Sequence, residues 1–301
     1  MGLPPTVCLL PCGQCIGCRL ERSRQWAIRC VHHAQLYPHN SFLTLTYDQE
    51  HLVSPSLNHR DWQLFMKRLR KHASKELSKR SGSSKSNLRQ SITLPETRPQ
   101  AESQISYYMA GEYGPKHLRP HFHACLFNYQ FKDKKYYRTT KSKSKIYTSD
   151  LLTNLWQKGF ASIGEVNIKS AAYIARYIIQ KKNGPNAARY YEHINEETGE
   201  ITDLLPEYNR MSLRHPIGKV WFDRYHTDVF PHGVVTTRSG DAKSPRYYDK
   251  LFERLDKGGH DAMKKRRTEE AREYLEDNTP QRLAAKERVK RAQLNQLLRS
   301  I

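Results

Sequence analysis

Apolar and polar residues alternate through FLTLTYD, residues 42–48, and its β-branched content suits a pleated surface, so this stretch predicts a strand. NHRDWQLFMKRLRKHASKEL, residues 58–77, changes period: Trp62, Phe65, Met66 and Leu69 fall at helical spacing with Arg and Lys opposite, and Asn58 or Asp61 can start the helix. An earlier helix is predicted over RLERSRQWAIRCVHHAQLY, with Trp26, Cys30 and Ala34 available to one face. Two strands follow at about 105–112 and 120–127, joined by YGPKHLR. Residues 131–147 read as a Lys/Tyr-rich connection. SDLLTNLWQKG is a short helix with a Ser or Asp start and a Gly stop, FASIGEVNI a strand, and KSAAYIARYIIQKKNGP a helix closed by Gly184 and Pro185. Past residue 230 the chain is rich in charge and helix formers, a solvated helical tail broken near Pro280.

This coarse strand and helix order agrees with an α+β class. We divide the chain into a cysteine-rich segment and helix over 1–35, a main domain over 36–230 and a basic helical region over 231–301. Within the main domain, about 74–104 is Ser-rich and poor in apolar residues, and reads as a mobile, DNA-facing loop.

Charge adds a partner to this picture. The 301 residues hold 51 Lys and Arg against 30 Asp and Glu, a net charge of +21. Nucleic acid is the commonest partner for such a balance, and the eighteen tyrosines suit base stacking. No apolar run reaches the roughly 18 residues of a membrane span, so no membrane role is expected. The start MGLPPTVCLLPCGQC lacks a basic segment and a long apolar stretch, so no signal peptide is expected. In a reducing cytoplasm the six cysteines are thiols or metal ligands.

The chemistry concentrates in RPHFHACLFN, residues 119–128. His121 and His123 are two apart in a strand, so both imidazoles leave one face. Such a pair serves packing or binds a metal. The preceding strand ends near Glu112, and antiparallel pairing would bring that carboxylate to the imidazoles. Two His and one carboxylate form a divalent-metal set with open positions. On the later helix Tyr173, Tyr177 and Lys181 recur every fourth residue and share a face, either an ordinary amphipathic stripe or a row of nucleophiles with a cation beside them. Separately, Cys12, Cys15 and Cys18 form C-x₂-C-x₂-C. With Cys30 or a nearby histidine this suits a structural Zn²⁺ site, while an iron–sulfur cluster or free thiols are the alternatives.

FLTLTYD, LRPHFHACLF and AAYIARYIIQKK, in that order, resemble the three motifs of the HUH-superfamily endonucleases. With PCGQCIGCRLERSRQWAIRC the chain is similar to replication initiators of small single-stranded DNA microviruses, the gokushovirus-like group, over about residues 8–225. The resemblance implies a central antiparallel β-sheet of HUH/Rep type, RRM-like, flanked by helices, with the His strand central. It implies that His121, His123 and Glu112 bind Mg²⁺ or Mn²⁺, that Tyr173 and Tyr177 are nucleophiles and that Lys181 stabilises charge. It implies nicking of origin DNA, single- or double-stranded, in the host bacterial cytoplasm, with host polymerase and helicase as partners. A zinc-stabilised, non-catalytic single-stranded DNA-binding protein and an HUH transposase or relaxase are the competing readings.

Overall fold

The structure, a computed structural model, describes residues 11–81, 105–114, 118–180, 187–195, 198–237 and 240–296. It divides into two compact units, one of Ala27–Arg224, the other combining the N-terminal stretch up to Trp26 with the chain from Tyr225 onward. The cysteine segment and the helical tail therefore belong to one unit, a grouping that sequence patterning does not show.

The elements run α1 (Ile16–Gln35), β1 (Asn40–Thr46), α2 (His59–Ser81), β2 (Ser106–Tyr113), β3 (Pro120–Phe127), β4 (Lys135–Thr139), β5 (Lys145–Thr148), α3 (Asp150–Trp156), β6 (Ala161–Gly164) and α4 (Ile168–Gln180). They continue with α5 (Ala187–Tyr190), β7 (Glu192–Ile194), β8 (Ile201–Asp203), β9 (Tyr208–Met211), α6 (Lys219–Tyr225), β10 (Val234–Thr237), β11 (Gly240–Lys243), α7 (Arg246–Leu255), α8 (Lys257–Arg272) and α9 (Pro280–Gln296).

The larger unit is an α+β fold on a seven-stranded sheet, ordered β4-β5-β6-β1-β3-β2-β9, with every neighbouring pair antiparallel. The His strand β3 is interior, between β1 and β2. Alternation separates the sheet's faces. Leu43, Leu45, Met109, Phe122, Ala124, Leu126 and Ile163 join the core that α2 and α3 cover with Trp62, Phe65, Leu69 and Trp156. Each large side chain fully buried there contributes roughly 1.5–3 kcal/mol. The other face carries Thr44, Glu112, His121, His123, Cys125 and Phe127. The C-terminal half of α1 lies over its far end: Cys30 contacts Cys125, and the His33 ring meets Phe127 edge-on at 4.8 Å.

Three differences from the expected elements have simple causes. Residues 131–147 are not a plain connection but contain the hairpin β4–β5. All five β4 residues are exposed, so no apolar alternation marks that edge strand. Helix α2 continues to Ser81, into the segment read as a loop, and residues 82–104 lie outside the described residues. The predicted Gly184–Pro185 stop of α4 also lies outside them. Strand β9, with no signal in its four residues YNRM, completes the sheet beside β2.

In the smaller unit, Arg24 of α1 donates to the Lys243 carbonyl at the end of the β10–β11 hairpin, at 2.8 Å. Arg267 of α8 pairs with Asp249 of α7 at 2.9 Å and donates to the Gly233 carbonyl at 2.8 Å. The last helix, α9, begins at Pro280, where the sequence breaks, and buries no residue.

Candidate metal and nucleophile site

Strand register assembles the site. Glu112 on β2 lies directly opposite His121 on β3, and Thr44 on β1 directly opposite His123. One Glu112 oxygen, Oε1, lies 2.8 Å from His121 Nε2 and 2.7 Å from His123 Nε2. The three ligand atoms fall within 4.8 Å of one another. Each ring is turned by its other nitrogen: His123 Nδ1 lies 2.9 Å from Thr44 Oγ1, and His121 Nδ1 donates to the Arg119 carbonyl at 3.0 Å. Orientation of this kind is typical of imidazole ligands.

The donor set fits a divalent cation. Glu112 is 1 % exposed, yet neither carboxylate oxygen has a hydrogen-bond donor among the described residues. Burying a carboxylate this way is costly unless a cation completes it. Neighbouring ligands about 2.1 Å from one ion stand about 3 Å apart, close to these spacings. Two imidazoles make the set softer than the all-oxygen shell Mg²⁺ prefers. Burial alone would raise the Glu112 carboxyl, but the two imidazoles outweigh it and hold it below the usual range. Burial holds His123 down, whereas at His121 the Glu112 contact overcomes burial and raises it.

Helix α4 brings Tyr173 to this cluster. Its start is fixed by Asn167, whose Oδ1 accepts the N–H groups of Lys169 and Ser170 at 2.9 and 3.0 Å, while Ser170 Oγ accepts the Asn167 N–H at 2.9 Å. This reciprocal cap sets the helix phase. Ala171, Ile174 and Ala175 are buried, and Asn209 of β9 donates to the carbonyls of Ile174 and Met109 at 3.2 and 3.4 Å. The Tyr173 ring then lies edge-on to His123, centroids 5.0 Å apart. Tyr177 is one turn further along α4, its side chain outside the described ones, and Lys181 lies outside the described residues altogether. Thr44 and Asn209 are supports that motif reading did not find; Thr44 was legible as a polar position in phase with the His face.

The cysteines form a second cluster in the smaller unit. Cys12, Cys15 and Cys18 present sulfurs within 4.8 Å of one another, those of Cys12 and Cys18 3.9 Å apart. The Cys15 N–H donates to Cys12 Sγ at 3.2 Å, and backbone donors at Cys15 and Gln14 bring the Cys12 thiol down to about 7. In the larger unit Cys30 is fully buried against Cys125, because its helix position faces the sheet core.

The family described as replication-associated protein ORF2/G2P matches residues 40–183, a span containing Glu112, His121, His123, Tyr173 and Tyr177. The chain is 36 % identical over 245 residues to replication-associated protein VP4 of Bdellovibrio phage phiMH2K, covering 81 % of this chain and 67 % of that one. It is 29 % identical to replication-associated protein ORF2 of Spiroplasma virus 4, covering 81 % of this chain and 68 % of that one. It is also 29 % identical to replication-associated protein ORF4 of Chlamydia phage 1, over 58 % of this chain and 38 % of that one. No solved structure matches. The chain belongs to this family of phage replication-associated proteins, the microvirus-like replication initiators that its motifs resemble.

Proposed function

We propose that the protein is an HUH-type endonuclease that nicks origin DNA, single- or double-stranded, to start rolling-circle replication. The observation that carries this reading is Tyr173 packed 5.0 Å from His123, in a cluster where Glu112 and His121 complete a cation site. The tyrosine oxygen attacks the scissile phosphorus. A Tyr O–P bond forms, the P–O3′ bond breaks, the phenol gives up its proton and the leaving 3′ oxygen takes one. The protein keeps the 5′ phosphate, and the free 3′ hydroxyl primes synthesis. Mg²⁺ or Mn²⁺ held by Glu112, His121 and His123 supplies charge neutralisation at the phosphate.

Thr44 and the Arg119 carbonyl keep both Nε2 atoms aimed at Glu112. The Asn167 cap holds Tyr173 at its height on the sheet. Of Tyr173 and Tyr177, one helical turn apart, one cuts the strand and the other takes over the chain in the rejoining transfer, and Lys181 stabilises the developing charge. Host polymerase and helicase complete the process inside the bacterial cell. No described helix is long and apolar enough to cross a membrane.

The test incubates origin-bearing single-stranded DNA with the protein and Mn²⁺ and looks for a covalent band on a denaturing gel. Tyr173→Phe with Tyr177→Phe removes the band and leaves binding within about twofold. A band that persists in the double variant, or that EDTA leaves unchanged, overturns the assignment. The thiols of Cys12, Cys15 and Cys18 suit Zn²⁺ as a separate structural site. Purified protein then carries one zinc per chain, lost on changing Cys12 and Cys15 to Ser.

A further inference from the structure

The sheet face that carries Glu112, His121 and His123 continues to two exposed aromatic rings, Phe160 and Tyr137. Thr46, opposite His121 in the register, also faces Phe160 at the start of β6. Its N–H and its Oγ1 both donate to the Phe160 carbonyl, each at 2.9 Å. Gly159 makes this turn, at φ +135° and so close to β1 that a Cβ would stand 2.3 Å from the Asp48 nitrogen. Phe160 is thus held firmly, yet it is 48 % exposed. Against it lies Tyr137 of β4, 54 % exposed, with ring centroids 5.5 Å apart and planes tilted by 51°. Leaving two adjacent large rings in water forfeits their burial, which marks a contact surface.

The surroundings select the partner. Between Lys132 and Lys145 the sequence holds seven cations and one carboxylate, Asp133, while Lys132 lies 3.6 Å from Glu76 and Lys135 2.7 Å from Asp150. Asp133 is already engaged, accepting from Ser149 Oγ and the Leu151 N–H at the start of α3. Arg138, Lys141, Lys143 and Lys145 are all exposed. Exposed rings beside exposed cations suit a polyanion with free aromatic faces, which is an unpaired nucleic-acid strand; a duplex hides its base faces by stacking. Phe160 stands two strand spacings from β3, roughly 10 Å. That is about three nucleotides of stacked strand.

We propose that Phe160 and Tyr137 form a stacking platform for unpaired bases of single-stranded DNA, a few nucleotides from the phosphate presented to His121 and Tyr173. The platform rests on the nickase reading only for the strand's path to the metal cluster, not for binding itself.

The experiment measures fluorescence anisotropy of a labelled 20-nucleotide single strand and of the matching duplex, in EDTA, with the full chain. Phe160→Ala with Tyr137→Ala weakens single-strand binding at least tenfold and duplex binding less than twofold. Phe160→Tyr and Tyr137→Phe, which keep the rings, restore single-strand affinity. Unchanged single-strand binding, or equal losses on both DNAs, overturns the platform; the former points to a protein contact and the latter to a general charge effect. Thermal melting of the double variant within 2 °C of wild type, a shift of a fraction of a kcal/mol, excludes misfolding. Covalent capture with Mn²⁺ on the same single strand tests the nickase reading separately, since EDTA binding is indifferent to it.

Discussion

The larger unit holds two pairs of largely enclosed histidines, and they do opposite things. His121 and His123 sit on a strand and turn their Nε2 atoms onto one carboxylate oxygen. His32 and His33 sit on a helix, and no metal-ligand group forms around them among the described residues. His33 Nδ1 accepts the Gly218 N–H at 3.4 Å, so Nε2 carries the proton and donates to Ser106 Oγ at 2.8 Å. His32 stacks on Trp221 with ring centroids 3.6 Å apart. His32, His33 and His123 are buried, and His121 is half-buried. What separates them is the company: a buried carboxylate makes one a candidate cation site, while a hydroxyl, an amide and an indole make the other a neutral piece of the core.

The largest effect that could break this contrast is loss of the cation. Glu112→Gln or His123→Ala should cut Mn²⁺ affinity and covalent capture by more than about a hundredfold, beyond what losing a supporting residue costs. His33→Gln should leave both within about twofold while lowering the melting temperature. Isothermal titration with Mn²⁺ and a denaturing gel read the two outcomes. Capture retained in Glu112→Gln would reduce the triad to packing.

Acid should act on the helical pair. Burial takes His32 and His33 down to about 4 from an ordinary 6.5, with the Arg29 and His215 charges adding to the effect at His33. Between those limits the unfolded chain binds more protons than the folded one. The stability from neutral imidazoles is therefore complete above pH 6.5 and declines as pH falls toward about 4. The loss approaches about 3 kcal/mol for each imidazole over that window. Urea denaturation at pH 7 and pH 5 measures it. The His33→Gln curve should be flatter than wild type, and parallel curves would show that His33 already protonates in the fold.

A subtler change sharpens the same comparison. Thr44→Val keeps the volume at β1 but removes the hydroxyl beside His123 Nδ1. Metal affinity should fall about tenfold, because the ring is no longer held in one orientation. Titration with Mn²⁺ gives the number, and an unchanged affinity would assign the orientation to strand packing alone.

How much of this was legible depended on whether a side chain's partner was close in the strand pattern. Glu112 and His121 were readable together because a short connection between two strands forces them opposite each other. Tyr173 was readable from its helical stripe. The β4–β5 hairpin was not, because KYYRT is exposed along its whole length and hides its period. Strand β9 was invisible because four mixed residues join the sheet through Asn209 and backbone pairing rather than an apolar run. Cys30 is near the cysteine knuckle in sequence, but sequence proximity does not report which face of α1 a residue occupies; burial against Cys125 does.

The smallest predicted effect makes the cleanest contrast, because it repeats the Thr44 edit on the other pair. Ser106→Ala removes the hydroxyl that receives the His33 Nε2 proton, just as Thr44→Val removes the one beside His123. Here no cation waits on the ring. The loss should appear only as stability, about 1 kcal/mol for one buried hydrogen bond. Mn²⁺ affinity and covalent capture should stay at wild-type values. The two hydroxyls are equivalent in chemistry and differ only in which histidine they orient. If Ser106→Ala also weakened Mn²⁺ binding, the helical pair would be coupled to the metal face through β2, which carries both Ser106 and Glu112, and the division of labour between the pairs would have to be redrawn along that strand.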